Sequence, residues 1–559
     1  MFNRSACIVL GLLLFVSTSL HSAPQKVTFS QNASSVEAYD FVEVAVKVEG
    51  ADAANPFTDV AVTGSFEKAG GTRTAVEGFC DSSDGTLFLI RFMPSSPGTY
   101  DYAITYKQGS FESNHKGSFQ ASDGHRRGPI RVDPKYRWHF VWEGTGEHYF
   151  FNGTTAFFLM GWKEERVINY TIERLIGFKI NRLRVLIAGA AQILWGEPIM
   201  TGSNFKMTLR PWIAKDPDSF DQPGNDYSRF DVAYWQKWER MVRFSRDRNF
   251  IISAILDIST HKAQPVAGSE DERRYVRYAV ARLSAYSNIT WDLGDDLDSY
   301  RDEKWAHEFG TLIQTWDPYK HLASSHPVHR ENQDRASDWF GFTSIQNWSR
   351  RQHELMLEER KIQMKTGRII PQTNEEYGYE DHYPHWAPAP DGDSAETLRQ
   401  VAWEIAMAGA YGTAGESSRR GTNIWPDTGG GWINGRGDDT QVMFKGYEHL
   451  VDFFTSFDWW KTEPHDELVN NGAYCLAKPG EIYVVYLPLR PMCGNSEAYE
   501  HRQVCGDVTL KLEPGTYEAS WFSAFTGERI ALPPVQGSNW TLPKTPGWLD
   551  WALLLQKKR

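Results

Sequence analysis

One pattern constrains the fold most: apolar runs alternate with helical stretches between residues 150 and 460. Runs such as "AFFLMGW", "KINRLRVLI" and "FIISAILDIS" indicate buried strands, whereas "YWQKWERMVRFSRD" and "ETLRQVAWEIAMA" indicate helices. Eight strand–helix units follow one another, which is typical of parallel strands closed into a (β/α)8 barrel. A long excursion at roughly 190–230 contains Pro, Gly and Trp and is predicted to be a loop insertion at the active site.

A different sequence pattern flanks this region on both sides. Residues 24–125 contain short alternating runs such as "FVEVAVKVEG" and "YDYAITY", separated by Gly-rich turns, which predicts an antiparallel β-sandwich. Residues 463–559 again contain short β-type runs, such as "EIYVVYLP", which predict a second β-sandwich. The predicted fold class is therefore multidomain α/β, with a central TIM barrel at 126–462 between two β-sandwich domains.

The first 23 residues have the layout of a signal peptide. Arg4 precedes an apolar run from Cys7 to Val16, and small and polar residues follow as far as Ala23. That run is too short for a membrane span, and no later segment reaches the roughly 18 apolar residues that a span needs. We therefore predict that residues 1–23 are removed, that the product is secreted or periplasmic, and that it has no membrane span.

Composition narrows the partners. The net charge is −12 and the charged residues are scattered, so nucleic acid is not an expected partner. The chain contains 22 Trp, which is rich for an exported protein and favours aromatic platforms for sugar rings, although buried Trp is the commoner use. A carbohydrate is therefore the expected partner; no oligomeric state is predicted.

Cysteine spacing bears on disulfides and metals. Cys493 and Cys505 flank a loop and form the most plausible disulfide in an oxidising compartment, with Cys80 and Cys475 left over. No CxxC or His/Cys spacing resembles a zinc site, so we expect neither a metal nor a cofactor.

The segment "NITWDLGDDLD", residues 288–298, places four aspartates directly after a predicted buried strand: Asp292, Asp295, Asp296 and Asp298. Like charges at close range repel, so the cluster needs an explanation. It could be a calcium loop, a solvated turn or a catalytic acid with its neighbours. The spacing does not fit the D-x-[DN]-x-[DN]-G pattern of calcium loops.

Acids also follow other predicted strands. Residues at the C-terminal ends of barrel strands face the active site. Asp257 follows strand 3, the aspartate cluster strand 4, Glu376 strand 7 and Glu416 strand 8. Strands 4 and 7 lie across the barrel mouth from each other, so Asp296 and Glu376 are predicted to face one another, as the paired carboxylates of glycosidases do.

Several of these segments resemble clan A glycoside hydrolases, and the apiosidase-like branch in particular. "YVRYAVARLSAYSNITWDLGDDLD" is similar to the fourth strand of that clan, which implies Asp296 as general acid/base. "IIPQTNEEYGYED" resembles the seventh strand and implies Glu376 as nucleophile. "ETLRQVAWEIAMAGAYGTAGES" resembles the next helix and strand and places Glu416 on an active-site acid. "GFKINRLRVLI" resembles strand 2, which implies that Arg182 braces the nucleophile.

The resemblance extends to both flanks and has one departure. "IRFMPSSPGTYDYAITY" resembles an immunoglobulin-like module and "YEASWFSAFTGE" a collagen-binding-type module. The usual Asn-Glu pair of the clan is Asp295-Asp296 here, and Asp295 can only accept hydrogen bonds unless it is protonated. Retention of anomeric configuration is favoured, because the apiosidase-like branch also uses Asp at this position. We expect the neighbouring aspartates to raise the pKa of Asp296. We also expect the side chain of Glu375 to point away from the site, because successive residues of a strand face opposite sides.

Further residues are predicted to line the sugar pocket, although each could equally have a structural role. They follow strands 1, 3, 4, 5, 6 and 8 or belong to strand 2: Trp162, Arg182, Asp257, Asp295, His326, Gln346, Asn347, Trp348, Glu416 and Trp425. Cationic residues in the same loops raise the option of an anionic sugar, sulfated or uronic: Lys163, Arg166, Arg330, Arg419 and Arg420.

These observations favour a secreted glycoside hydrolase that cleaves a plant or algal polysaccharide or oligosaccharide. A calcium-bound adhesion protein is one alternative, motivated by the aspartate cluster. A degenerate barrel that binds carbohydrate or matrix without cleavage is another, motivated by the lost Asn-Glu pair.

Overall fold

At the centre of the molecule, eight parallel strands form the barrel. The structure is a computed structural model that describes residues 23–191, 204–380, 394–415, 431–436, 443–488, 506–547 and 549–558. Barrel strands 1 to 8 are Asn152–Thr155, Arg182–Leu186, Ile251–Ile255, Ile289–Asp295, Ala323–His326, Ile345–Gln346, Thr373–Glu376 and Tyr411–Ala414. Their hydrogen-bonded order is 5-4-3-2-1-8-7-6.

Strands 5 and 6 meet through the segment that precedes strand 6. Phe340 forms an isolated parallel bridge with Ala323, and the backbone N–H of Gly341 donates to the Ala323 carbonyl at 2.7 Å. The Ser324 hydroxyl donates to the Phe342 carbonyl at 2.8 Å. These contacts complete the ring, so the C-terminal ends of all eight strands surround one mouth.

Helices cover the outside of the ring, and polar side chains define where several of them begin. The helices are Glu165–Gly177, Val232–Arg246, Glu270–Leu283, Glu303–Trp316, Gln352–Lys365, Ala395–Met407, Gly431–Asn434 and Met443–Phe454. Ser269 accepts from the N–H of Glu272, and Asp302 accepts from that of Trp305. Each cap satisfies a donor that the first helical turn leaves free.

The excursion between strand 2 and its helix is built from short antiparallel pairs in its described part. Gly189–Ala190 pairs with Thr208–Leu209, and Trp212–Ala214 pairs with Asn225–Phe230. Trp212 is buried, so this insertion has its own apolar anchor on the barrel.

The front domain is a two-sheet sandwich, as predicted. One sheet contains Lys26–Gln31, Val42–Glu49, Leu87–Phe92 and Phe79–Cys80; the other contains Ser35–Glu37, Phe111–Ser122, Gly98–Gln108, Val60–Lys68 and Arg73–Glu77. In Val42–Glu49 the four valines, which occupy alternate positions, are buried, and the residues between them are more exposed. This alternation is the period of two that the sequence shows.

A buried ionic network joins the front domain to the barrel. Arg91, on the strand Leu87–Phe92, donates to Glu239 of a barrel helix at 2.7 Å. Arg282 of the next helix donates to the same carboxylate at 2.9 Å and to Asp81 at 2.6 Å. Removing one partner of a buried pair leaves a charge without compensation, so this network fixes how the two domains pack.

The C-terminal domain is a second antiparallel unit. Its six-stranded sheet consists, in hydrogen-bonded order, of Glu463–Pro464, Tyr474–Lys478, Ile482–Leu487, Trp551–Lys557, Thr516–Ser523 and Arg529–Gln536; Thr509–Lys511 pairs with Asn539–Thr541. Arg399 of a barrel helix donates to the buried Asp550 at 2.6 Å and so links this domain to the barrel. The fold class predicted from the sequence is confirmed: a TIM barrel flanked by two antiparallel sheet domains.

Two sequence predictions concern cysteines and membrane spans. Cys493 and Cys505 lie outside the described residues, and Cys80 and Cys475 are buried free thiols. Among the described helices, none is long and apolar enough to cross a membrane.

A small antiparallel sheet of Ile130–Val132, Phe140–Trp142 and His148–Tyr149 packs beneath the barrel. His139, next to it, is buried, and its Nδ1 lies 2.7 Å from the Tyr411 hydroxyl oxygen. Burial, reinforced by the charge of Arg360, lowers the pKa of His139 from 6.5 to about 3.

This buried histidine makes stability depend on pH. The unfolded chain binds a proton at His139 below about pH 6.5 and the folded chain does not, so stability is lost as pH falls through that window. We expect a cost of about 3 kcal/mol at pH 4. His139→Gln, which can still bond Tyr411, should show a shallower loss of melting temperature between pH 7 and pH 4. Equal slopes in wild type and variant would contradict this assignment.

Candidate active site

Three buried side chains from three barrel strands converge at the mouth. Asp295 ends strand 4, His326 ends strand 5 and Glu376 ends strand 7. One ligating atom of each lies within 4.8 Å of the others. His326 Nε2 is 3.4 Å from Glu376 Oε2 and 3.8 Å from Asp295 Oδ1. The strands predicted to supply the catalytic acids therefore do meet, with a histidine between them.

Asp296 leaves the strand in an unusual backbone conformation. Its φ of 52° and ψ of 39° are left-handed, and the short 3-10 helix Leu297–Ser299 begins directly after it. Few residues other than Gly adopt this region, and Asp is among those that do. Asp296 is partly exposed, whereas Asp295 is only 4% exposed. The turn therefore separates the two neighbours into a buried and an accessible carboxylate.

The surroundings of Asp296 raise the pKa of its carboxyl. Burial raises the pKa of its carboxyl, and the charge of Glu376 raises it further. His326, a hydrogen bond from the Ser259 hydroxyl at 3.2 Å, and Arg184 oppose the shift without cancelling it. A shift in this direction suits a general acid.

The cause of the raised pKa of Asp296 differs in part from the sequence-based expectation, because Asp292 and Asp298 have other partners. Asp292 accepts from Arg184 at 3.1 Å. Asp298 accepts from His329 Nδ1 at 2.7 Å and from Asn332 Nδ2 at 2.9 Å. Despite its partial burial, hydrogen bonds lower the pKa of Asp298. These two aspartates thus organise the barrel interior and the loop after strand 5, and Glu376 is the carboxylate that acts on Asp296.

Asp295 is held by Arg184, whose guanidinium Nη2 donates to Asp295 Oδ1 at 2.9 Å. Burial raises the pKa of Asp295 to about 7; Arg184 and His326 lower it, and Asp296 and Glu376 raise it. A protonated Asp295 can donate a hydrogen bond, as the amide of the Asn that is usual in the clan resembled by this sequence would. The departure from the Asn-Glu pair is therefore compatible with a donor at this position.

The two neighbouring glutamates of strand 7 have different partners. Glu376 Oε1 accepts from Gln346 Nε2 at 3.2 Å. Glu375 is buried inside the barrel, where its Oε2 accepts from Arg182 at 2.6 Å and from Thr413 at 2.8 Å. Arg182 thus pairs with Glu375 and not with Glu376, contrary to the prediction.

A register shift explains why both glutamates lie inside the ring. Ile345 pairs with Asn374, but Gln346 pairs with Glu376, so the pairing skips a residue. Regular alternation would have sent one of the two side chains to the outer face, as predicted for Glu375. Irregular pairing of this kind re-aims side chains next to active sites.

Asp257 lies behind the mouth in a buried network. Its Oδ1 accepts from His261 Nδ1 at 2.7 Å, and Arg210 Nη1 donates to His261 Nε2 at 2.8 Å. Since Arg can only donate, His261 accepts through Nε2 and donates to Asp257 through Nδ1. This network supports the loop that carries Ser259, the hydrogen-bond donor to Asp296. Sequence reasoning missed Arg210, Ser259 and His261; the polar run "DISTH" directly after strand 3 was the available signal.

The remaining pocket candidates fall into three groups. Gln346, Asn347 and Trp348 are partly exposed at the mouth, and the Trp348 ring lies 5.3 Å from that of Tyr379. Trp162 is buried, and its Nε1 donates to the Asn434 carbonyl at 2.7 Å, which places it in the core under the excursion. Glu416 and Trp425 lie outside the described residues, as do Arg419 and Arg420.

Of the remaining cations proposed for an anionic sugar, Arg330 is paired with Glu358 and Glu359. Arg166 pairs with Glu164, and Lys163 is exposed. The ion pairs reduce the positive charge available for a sulfated or uronic sugar at these positions.

Comparisons with known proteins agree with this geometry. The family model described as "Apiosidase-like, catalytic domain" matches residues 144–417, and a domain of unknown function, DUF5060, matches residues 35–107. The chain is similar to the crystal structure of a candidate glycoside hydrolase from Bacteroides vulgatus ATCC 8482, at 20% identity and a TM-score of 0.73, over 94% of this chain and 100% of that one.

A second solved structure gives the same fold at lower similarity. It is a glycoside hydrolase family 5 protein from Bacteroides vulgatus ATCC 8482, with 15% identity and a TM-score of 0.58, over 77% of this chain and 93% of that one. At such identities the likeness shows the fold. The search of curated proteins found no match.

Proposed function

Because the barrel of this chain belongs to the apiosidase-like family of glycoside hydrolase domains, we propose that it hydrolyses a plant or algal polysaccharide or oligosaccharide with retention of configuration. Glu376 is the nucleophile and Asp296 the general acid/base. The observation that carries this assignment is the meeting of strands 4 and 7 at the mouth, where Asp296 directly follows Asp295, whose carboxylate lies within 4.8 Å of Glu376, and where the charge of Glu376 acts on Asp296.

Each step of the proposed hydrolysis has a side chain that can perform it. Glu376, oriented through Oε1 by Gln346, attacks the anomeric carbon with its other oxygen while Asp296 protonates the leaving oxygen. The resulting ester removes the negative charge of Glu376. Asp296 then becomes easier to ionise and can accept a proton from the water that hydrolyses the ester.

Surrounding residues orient the substrate. Protonated Asp295 donates to a sugar hydroxyl next to the anomeric centre, and His326 lies beside the nucleophile. Trp348 offers a partly exposed aromatic face near the mouth. We also propose that residues 1–23 direct export; the mass of the mature protein from culture medium or periplasm tests this.

A screen of purified protein against neutral, sulfated and uronic plant and algal oligosaccharides tests the proposal. Release of reducing sugar identifies the substrate, and proton NMR of the first-formed anomer distinguishes retention from inversion. Binding by calorimetry with no cleavage across the panel would instead support the non-catalytic barrel. Calcium-dependent stabilisation without glycan binding would support the adhesion alternative.

Substitution of Asp296 should separate acid catalysis from binding. We expect Asp296→Ala to lower kcat by about 10²–10⁴-fold on a natural glycoside, because the leaving oxygen then departs unprotonated. An aryl glycoside with an acidic phenol leaving group should lose much less in the first step. Glu331→Gln, at an exposed carboxylate in the loop after strand 5, is the matched control. Equal losses on both substrates would remove Asp296 from this role.

A further inference from the structure

The three convergent side chains have a feature that hydrolysis does not require: each is held from behind so that one ligating atom faces those of the other two. His326 Nδ1 lies 3.0 Å from the Ser344 hydroxyl, which leaves Nε2 directed at the mouth. Among the described residues, Nε2 has no hydrogen-bond partner, although His326 is fully buried. A buried, unpartnered imidazole nitrogen facing two carboxylates is an unusual arrangement.

The other two side chains are supported in the same way. Gln346 holds Oε1 of Glu376, and Oε2 faces His326 Nε2 at 3.4 Å. Arg184 donates to Asp295 Oδ1, whose second lone pair remains available. Hydrogen bonds behind the ligating groups that fix ring orientation and carboxylate position are typical of metal sites.

The spacing fits a transition-metal ion. Ligands about 2.1 Å from a tetrahedral ion are roughly 3.4 Å apart. The separations from His326 Nε2 are 3.4 Å to Glu376 Oε2 and 3.8 Å to Asp295 Oδ1. One imidazole and two carboxylates suit Zn²⁺, whereas Ca²⁺ and Mg²⁺ prefer a larger set of oxygen ligands.

We propose that Asp295, His326 and Glu376 form a three-ligand site for a Zn²⁺-class ion, with a fourth position open to water. This ion should also inhibit hydrolysis, an expectation that rests on the proposed function. With Glu376 bound to the metal, its carboxylate is no longer a free nucleophile, so the metal and the glycoside exclude each other. Sequence reasoning excluded metals on local Cys and His spacing, which cannot detect ligands brought together from strands 4, 5 and 7.

Calorimetric titration of the full chain with ZnCl₂ in chelator-free, non-coordinating buffer tests the site without a substrate. We expect one site in wild type, weakened at least about tenfold in His326→Ala and in the near-isosteric Asp295→Asn. His307→Ala, which removes an exposed histidine on the helix Glu303–Trp316, should bind as wild type does. MgCl₂ and CaCl₂ should give no comparable binding. Melting curves without metal confirm that each variant is folded.

The outcomes separate the two proposals. Equal Zn²⁺ affinity in wild type, His326→Ala and Asp295→Asn, or no binding in wild type, would overturn the metal site. Site-specific binding in a chain that cleaves no glycan would leave the metal site standing and remove the hydrolase. Cleavage that continues at Zn²⁺ concentrations that saturate the site would overturn the mutual exclusion.

Discussion

Glu376→Gln is expected to lower kcat by at least about 10³-fold without changing the melting temperature. The amide is nearly isosteric with the carboxylate but cannot attack the anomeric carbon. Its carbonyl oxygen can still accept from Gln346, which now holds Oε1 at 3.2 Å. Initial rates on the substrate found in the screen, together with thermal unfolding, measure both quantities. A variant that keeps a tenth of wild-type turnover would remove Glu376 from the nucleophile position.

External azide assigns the two carboxylate roles separately. In Glu376→Ala a small anion can enter from the vacated side and form a glycosyl azide of inverted configuration. In Asp296→Ala the covalent intermediate still forms, so azide intercepts it and gives a product of retained configuration. NMR of the two products distinguishes them. The opposite pairing would exchange the roles of these residues.

The fold was predictable because its strongest features are local in sequence. Barrel strands buried on both faces, such as Ile251–Ile255, appear as continuous apolar runs, and helices appear at their own period. The front domain was equally visible, since Val42–Glu49 alternates between buried and more exposed positions. The order of these elements then left few architectures to consider.

The identity of the strands that carry the site was also predictable, but the partners within it were not. Arg182 and Arg184 share one strand face, and only the three-dimensional ring shows that the first pairs with Glu375 and the second with Asp295. Strand alternation failed at Glu375 because of the register shift beside Gln346, which no local pattern reveals.

The aspartate cluster shows the same contrast between what the local sequence predicts and what only the folded chain reveals. Four like charges in one segment suggested mutual repulsion as the cause of a raised pKa at Asp296. In the folded chain, Arg184 compensates Asp292 and a loop compensates Asp298, so burial and Glu376 have the larger effects. Sequence proximity therefore overestimated the coupling among neighbours and underestimated that across the barrel.

Glu375→Gln, one residue from the nucleophile, is expected to cost about 3–5 kcal/mol of stability, or roughly 4–7 °C in melting temperature for a barrel of about 340 residues. Arg182 is only 1% exposed, and Glu375 is the carboxylate it binds, with Ser253 as its other side-chain partner. The amide leaves a buried guanidinium without a compensating charge, which is the costly half of breaking a buried ion pair. Glu376→Gln is the matched comparison, since it removes a carboxylate one position along the chain.

A double variant shows whether the loss comes from the stranded charge or from altered packing. Replacing both partners, as Arg182→Met with Glu375→Leu, removes the buried charges together and should recover much of the stability lost in Glu375→Gln. Arg182 also packs over Phe151 and Phe342, at 4.6 and 5.5 Å from the ring centres, and Met can retain part of that contact. Thermal unfolding and protease susceptibility of the three variants provide the measurement. If the double variant is less stable than Glu375→Gln, the pair contributes packing that charge removal does not explain, and the ionic account of this position is wrong.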